Sequence, residues 1–132
     1  MQIVEGLVSR PIEACWQAFV DAPRLAQWVP ALRSASIVEM RDGMPSEIAF
    51  ELVTGTTYSL LYAYDLAART IRWEPKPGTI GGIGGEARFE ESDRGTLVTL
   101  AIERHPGRSF AERSLDDAHE LIAAFARWMD AS

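Results

Sequence analysis

Metal and thiol chemistry have little to work with in this sequence, which holds one cysteine and two histidines in 132 residues. A lone Cys15 forms no internal disulfide, and beside Trp16 in an apolar helical pattern it reads as a buried, inert thiol. No metal site is expected, because Asp116, Asp117, His119 and Glu120 fall on successive turns without a convergent face. Positive charge is scarce too. Thirteen Lys and Arg against nineteen Asp and Glu leave a net charge of −6 and no basic stripe to neutralise phosphates. Nucleic acid is therefore not an expected partner. No apolar run approaches the ~20 residues that span a bilayer, so integral membrane association is not expected. The opening MQIVEGLVSR lacks the basic start and apolar run of a secretory signal, which makes the cytoplasm the expected address. There is no Gly-x-Ser-x-Gly elbow and no Cys/His pair in a nucleophile setting. The glycines from Gly78 to Gly85 precede a strand, and so lack the helix N-terminus that would hold phosphate. No cofactor is implied.

What is present is an ordinary globular composition, 47% hydrophobic and 24% charged, with enough length for one core. Residues 1–132 read as one domain, without repeat, low-complexity tract or linker. Ile3 to Val8 suits a strand buried on much of both faces. Pro11 fits the first turn of a helix, Glu13 favours its positive end, and Ile12, Trp16, Phe19 and Val20 recur at helical spacing. Asp21 is an N-cap residue for a second short helix that runs through Leu25 and Trp28 until Pro30 stops it.

From Ser36 to Arg104 the period changes to two. Ser36 to Arg41 alternates, Asp42-Gly43-Met44-Pro45 reads as a turn, and Ser46 to Thr54 puts Ile48, Phe50 and Leu52 on one face. Tyr58, Leu60, Tyr62 and Tyr64 share a parity in the next strand, as do Ile71 and Trp73 in Thr70 to Pro75. Ala87 and Phe89 oppose Arg88 and Glu90; after the Asp93-Arg94-Gly95 turn, Val98, Leu100 and Ile102 point the same way. This is the pattern of an antiparallel meander with one wet side, and by parity Glu47, Glu51, Asp65, Glu74 and Glu90 face solvent. His105-Pro106-Gly107 breaks the sheet. Ser109 to Glu112 has capping-box spacing, and Leu115, Ala118, Ile122, Phe125 and Met129 form the apolar stripe of one long closing helix.

A helix is ~10 to 12 Å across, whereas seven strands at ~4.8 Å spacing make a sheet more than ~30 Å wide. One helix covers such a sheet only if the sheet curls around it, with the glycines of Gly78 to Gly85 as the expected bend. Curling leaves internal space. If aromatics with a few polar tips line it, that space has the makeup of a small-molecule site.

The order of elements, with Ser9 to Trp16 at the first helix, Trp28-Val29-Pro30, Arg69 to Trp73, Gly85 to Glu90 and Gly95 to Leu100, resembles the SRPBCC or START-like helix-grip superfamily. Its members include START lipid-transfer domains, pathogenesis-related proteins, polyketide cyclases and coenzyme Q-binding proteins. The resemblance implies an α+β fold: a seven-stranded curved antiparallel sheet wrapped around a long C-terminal helix, with two short helices between the first two strands. It also implies binding or transport of a hydrophobic small molecule such as a lipid, polyketide, quinone or other aromatic. The first alternative is a cofactor-independent enzyme like the polyketide aromatase/cyclases, working mainly by orienting its substrate. The second is a protein-interaction module of the same superfamily. Either a monomer or a homodimer fits.

The residues expected to meet the ligand are Phe50, Tyr58, Tyr62, Tyr64, Trp73, Phe89, His119, Ile122 and Phe125. The aromatics among them either line a pocket or fill the core, for buried phenol and indole groups want polar partners in both cases. His119, four residues after Leu115 at the edge of the stripe, points either inward or along the surface. No residue is assigned a catalytic role.

Overall fold

The computed structural model describes residues 2–78, 83–103 and 117–131. Seven strands form: β1 (Gln2–Val8), β2 (Leu32–Arg41), β3 (Met44–Leu52), β4 (Thr57–Asp65), β5 (Thr70–Pro75), β6 (Gly85–Ser92) and β7 (Gly95–Ile102). They make one curved antiparallel sheet in the order β1-β7-β6-β5-β4-β3-β2. Consecutive strands β1 and β2 thus lie at opposite edges. The chain crosses between them through α1 (Ile12–Val20) and α2 (Ala22–Trp28), and α3 (Ala118–Asp130) is the third helix among the described residues. Helix α3 packs chiefly on β1 and β7, whereas α2 packs on β2. The core lies between these helices and the concave face, where Ile48, Phe50, Leu52, Ile71, Phe89, Val98, Leu100 and Ile102 are all buried.

The local chemistry explains the boundaries. Pro11, with extended backbone, caps α1 and supplies a fixed φ, and Glu13 sits in the first turn. Asp21 precedes α2 as its N-cap residue without a side-chain capping bond. The Asp117 carboxylate accepts hydrogen bonds from the backbone N–H groups of His119 and Glu120, which satisfies two of the free donors at the start of α3. Asp42 and Gly43 both have positive φ, 53° and 79°, the two-residue turn that matches strand twist and joins β2 to β3. The hairpin is accordingly tighter than the four-residue turn expected, and Met44 and Pro45 belong to β3.

Several expectations are corrected. β1 is buried on one face only: Ile3 and Leu7 are exposed, 65% and 42%, because α3 packs on its other face and no described element covers theirs. β2 starts at Leu32, four residues earlier than expected. Glu47 keeps its outward parity but is buried, since Lys76 lies over it with Nζ 3.2 Å from Oε2. Register shifts in the sheet occur where β2 meets β3, between Leu32 and Ser34 and again from Ile37 to Met40. Gly85 serves a different purpose from bending, for a Cβ there would meet Cζ2 of Trp73 at 2.7 Å and the Ala101 carbonyl at 2.9 Å. Its missing side chain lets the indole lie across the neighbouring strand. Gly81, Gly82, the His105-Pro106-Gly107 break, the capping box from Ser109 and Leu115 fall outside the described residues.

Candidate functional site

The first helix is amphipathic and drives Trp16 and Phe19 into the concave side of the sheet, both buried. Phe19 becomes the hub of an aromatic cluster. Its ring centroid is 5.5 Å from those of Trp28, Phe89 and Phe125 and 5.8 Å from that of Trp73. Edge-to-face and tilted rings at these separations add roughly 0.5 to 1.5 kcal/mol per pair beyond area burial.

Around this hub the interior divides. Toward Trp16 it is filled: Trp16 packs edge-on against Tyr64 and Phe89, and the Arg69 guanidinium lies 5.3 Å from the Trp16 ring while pairing with Glu13. The Tyr64 hydroxyl donates to the Pro45 carbonyl at 2.7 Å, and the buried Thr96 hydroxyl donates to the Arg10 carbonyl at 2.7 Å. Burial pushes the Cys15 thiol up, with the Thr96 hydroxyl partly opposing the shift. That cysteine is a packed, protonated thiol rather than a nucleophile.

Toward α2 a cavity of about 80 Å³ remains. Helices supply Phe19, Leu25, Trp28 and Leu121 to its wall; the sheet supplies Leu32, Phe50, Tyr58, Leu60, Tyr62, Trp73, Leu100 and Ile102; and Val29 and Ile83 come from the connections. None of these side chains is charged. Phe50 and Tyr58 stack with centroids 5.4 Å apart, and Tyr62 and Trp73 lie 6.0 Å apart across β4 and β5. An open groove of about 520 Å³ runs past Tyr62 and Trp73 as well, lined also by Arg72, Glu74, Glu86 and Glu103, of which Arg72 and Glu74 alternate with Trp73 along β5 and so face the other side of the sheet.

The polar atoms of the site are few. Burial, reinforced by the neighbouring Tyr64 and Tyr58 phenols, holds the Tyr62 hydroxyl well above the ordinary tyrosine range, and burial pushes that of Tyr64 up to about 12. Both stay protonated at neutral pH, as hydrogen-bond donors rather than bases. The Trp28 indole nitrogen Nε1 is buried and has no hydrogen-bond partner among the described residues. An unpaired donor of this kind costs about 1 to 3 kcal/mol. Among the described residues no three His, Cys, Asp or Glu side chains gather as a metal site.

Of the residues expected to meet a ligand, Phe50, Tyr58, Tyr62 and Trp73 lie in the cavity wall. The others lie elsewhere. Tyr64 and Phe89 belong to the filled side, Phe125 is 1% exposed between Phe19 and Trp28, and Ile122 packs under Gly6, where a Cβ would come within 2.9 Å. His119 is exposed on the first turn of α3 and takes no part in the wall. Phe19, Leu25, Trp28, Leu32, Leu60, Leu100, Ile102 and Leu121 join Phe50, Tyr58, Tyr62 and Trp73 in the wall, beyond the residues expected from the sequence. Parity and helical spacing place most of them inward, but such signals do not separate a wall residue from a packed one.

No family model and no curated protein matches the chain. Solved structures do. The chain is similar to the di-domain ARO/CYC protein StfQ of the steffimycin biosynthetic pathway, at 18% identity and a TM-score of 0.74, over 98% of this chain and 44% of that one. A START superfamily protein from Mycobacterium smegmatis aligns at 17% identity and a TM-score of 0.71, over 98% of this chain and 95% of that one. A STAR-related lipid transfer protein from Xanthomonas axonopodis aligns at 15% identity and a TM-score of 0.74, covering 96% and 84%.

Proposed function

The chain has the START-like helix-grip fold, and on that premise we propose that it binds one small hydrophobic molecule in the cavity between α2, α3 and the concave face of the sheet. The observation that carries this reading is the cavity wall, in which the described residues are all aromatic or aliphatic and bring only hydroxyl and indole groups as side-chain polar atoms. Apolar burial would supply most of the affinity, at roughly 25 cal/mol per Å² removed from water. The similar solved structures include a lipid transfer protein and an ARO/CYC protein, in keeping with this class of ligand.

Size narrows the ligand. At about 80 Å³ the cavity is roughly half the ~150 Å³ apolar cavity that takes up benzene, and far below the ~300 Å³ at the lower end of drug-sized sites. A ring of five or six atoms enters with small side-chain movements. A long-chain lipid or a polyketide requires the wall to open further. An aromatase/cyclase-like reaction has less support, since among the described residues no carboxylate or histidine lines the cavity to act as a base, and Tyr62, held protonated by burial, can serve only as an acid.

Native mass spectrometry of freshly purified protein, followed by calorimetric titration with toluene, tests the reading. The expected result is one site per chain, with a change in tryptophan emission as Trp28 and Trp73 meet the ligand. Absence of any retained molecule, of heat and of an emission change would overturn it.

A further inference from the structure

Trp28 lines the cavity and carries a donor that no described residue uses. Trp28 ends α2 and is 8% exposed, with its ring held between Phe19 and Phe125 at centroid distances of 5.5 and 4.8 Å. Its Nε1 is buried without a partner among the described residues, and the ring's neighbours leave it little freedom to turn toward solvent. A purely packing role would be met by phenylalanine, with no N–H to desolvate. We propose that Trp28 Nε1 donates a hydrogen bond to the cavity ligand, which is therefore a neutral apolar molecule bearing a carbonyl-type oxygen.

The chemistry of the site sets that class. Indole N–H is a donor only, so its partner must accept. A carboxylate or phosphate would accept as well, but among the described residues no cationic side chain lies in the wall, and an ion buried without a counter-charge is strongly disfavoured. A ketone, ester, quinone or amide oxygen accepts without that penalty. Tyr62 belongs to the same wall and is kept protonated by burial, which again favours an acceptor on the ligand. A site that hydrogen-bonds its ligand discriminates strongly against the analogue lacking the acceptor, because the buried donor is then left unpaired.

This inference rests on the cavity-binding reading above, and a pair of near-isosteres separates the two. Cyclopentanone and methylenecyclopentane have the same ring and differ in an exocyclic C=O against C=CH₂. Their affinities for the parent and for Trp28→Phe, taken from methyl-proton shift titrations, give two ratios in which the cost of dehydrating the ketone cancels. The ketone-to-alkene ratio is expected to fall by about tenfold in Trp28→Phe, equivalent to about 1.4 kcal/mol of coupling. In the parent protein alone, the Trp28 indole proton should move downfield with cyclopentanone and not with methylenecyclopentane, a readout that stands even if Trp28→Phe fails to fold. A ratio that changes by less than about threefold, or an indole proton that responds alike to both, overturns the donor role while leaving apolar binding intact. That is also the result if a fixed water occupies Nε1. If neither compound binds the parent, the cavity-binding reading fails and this proposal with it.

Discussion

Tyr62 and Tyr64 stand two residues apart on the same face of β4, their rings stacked 6.2 Å apart, yet they belong to different kinds of interior. Tyr64 leans on Trp16 and ties its hydroxyl to the Pro45 carbonyl. Tyr62 borders a void that Trp73 and Trp28 also line, and the Trp28 indole N–H has no partner among the described residues. At the Tyr64 end, ring packing and hydrogen bonds to backbone carbonyls consume both the volume and the polar groups. At the Tyr62 end both are left over. Unfilled volume and an unused donor in the same place are what a binding site requires before its ligand arrives, and neither alone would distinguish it from an imperfect core.

The comparison can be broken most severely through Phe125, which sits where the two interiors meet. It is 1% exposed and touches Phe19 and Trp28, so Phe125→Ala should cost about 3 to 5 kcal/mol in a urea melt. A loss well below that range would mean that the void already extends to Phe125. A smaller effect sharpens the filled side. Tyr64→Phe removes the donor to the Pro45 carbonyl and should cost about 1 kcal/mol, whereas the same change at Tyr62, which bridges to the void, should cost less.

Alkaline titration resolves the pair further. The Tyr64 hydroxyl is pushed up to about 12 in the folded chain, against about 10 when unfolded. The folded state holds this proton more tightly, so the contribution is fully present below about pH 10 and is lost as the pH rises through about 12. Stability should fall across that window in the parent, and the fall should shrink in Tyr64→Phe, leaving the part that Tyr62 contributes.

How far the sequence foretells this division is clear from particular residues. Side-chain alternation places Tyr58, Tyr62, Tyr64 and Trp73 on one face, because a pleated strand leaves no other option. It does not say that Tyr64 meets a carbonyl nineteen residues away while Tyr62 meets a void, since that depends on how far the sheet curls. Register shifts between β2 and β3 fall within Leu32 to Met40, where nothing in the composition marks them. The preceding Ala31, held at φ 62°, starts β2 early in a conformation that alanine seldom adopts. His119 lies at helical spacing from the apolar stripe, but a position on the first turn next to the Asp117 cap turns it to solvent. The unpaired Trp28 nitrogen has no sequence signature whatever. It exists only because α2 carries the ring into a pocket of hydrocarbon.

The central claim is that the void beside Trp28 takes up an apolar molecule, and nuclear Overhauser contacts between protein methyl groups and bound benzene test it most directly. The account predicts saturable contacts to Leu25, Leu60, Leu100 and Ile102, which line the cavity, and none to Ile48, buried away from it. Contacts confined to the exposed Ile37, Val38 and Met40 on the edge strand β2, or no contacts at all, would contradict it.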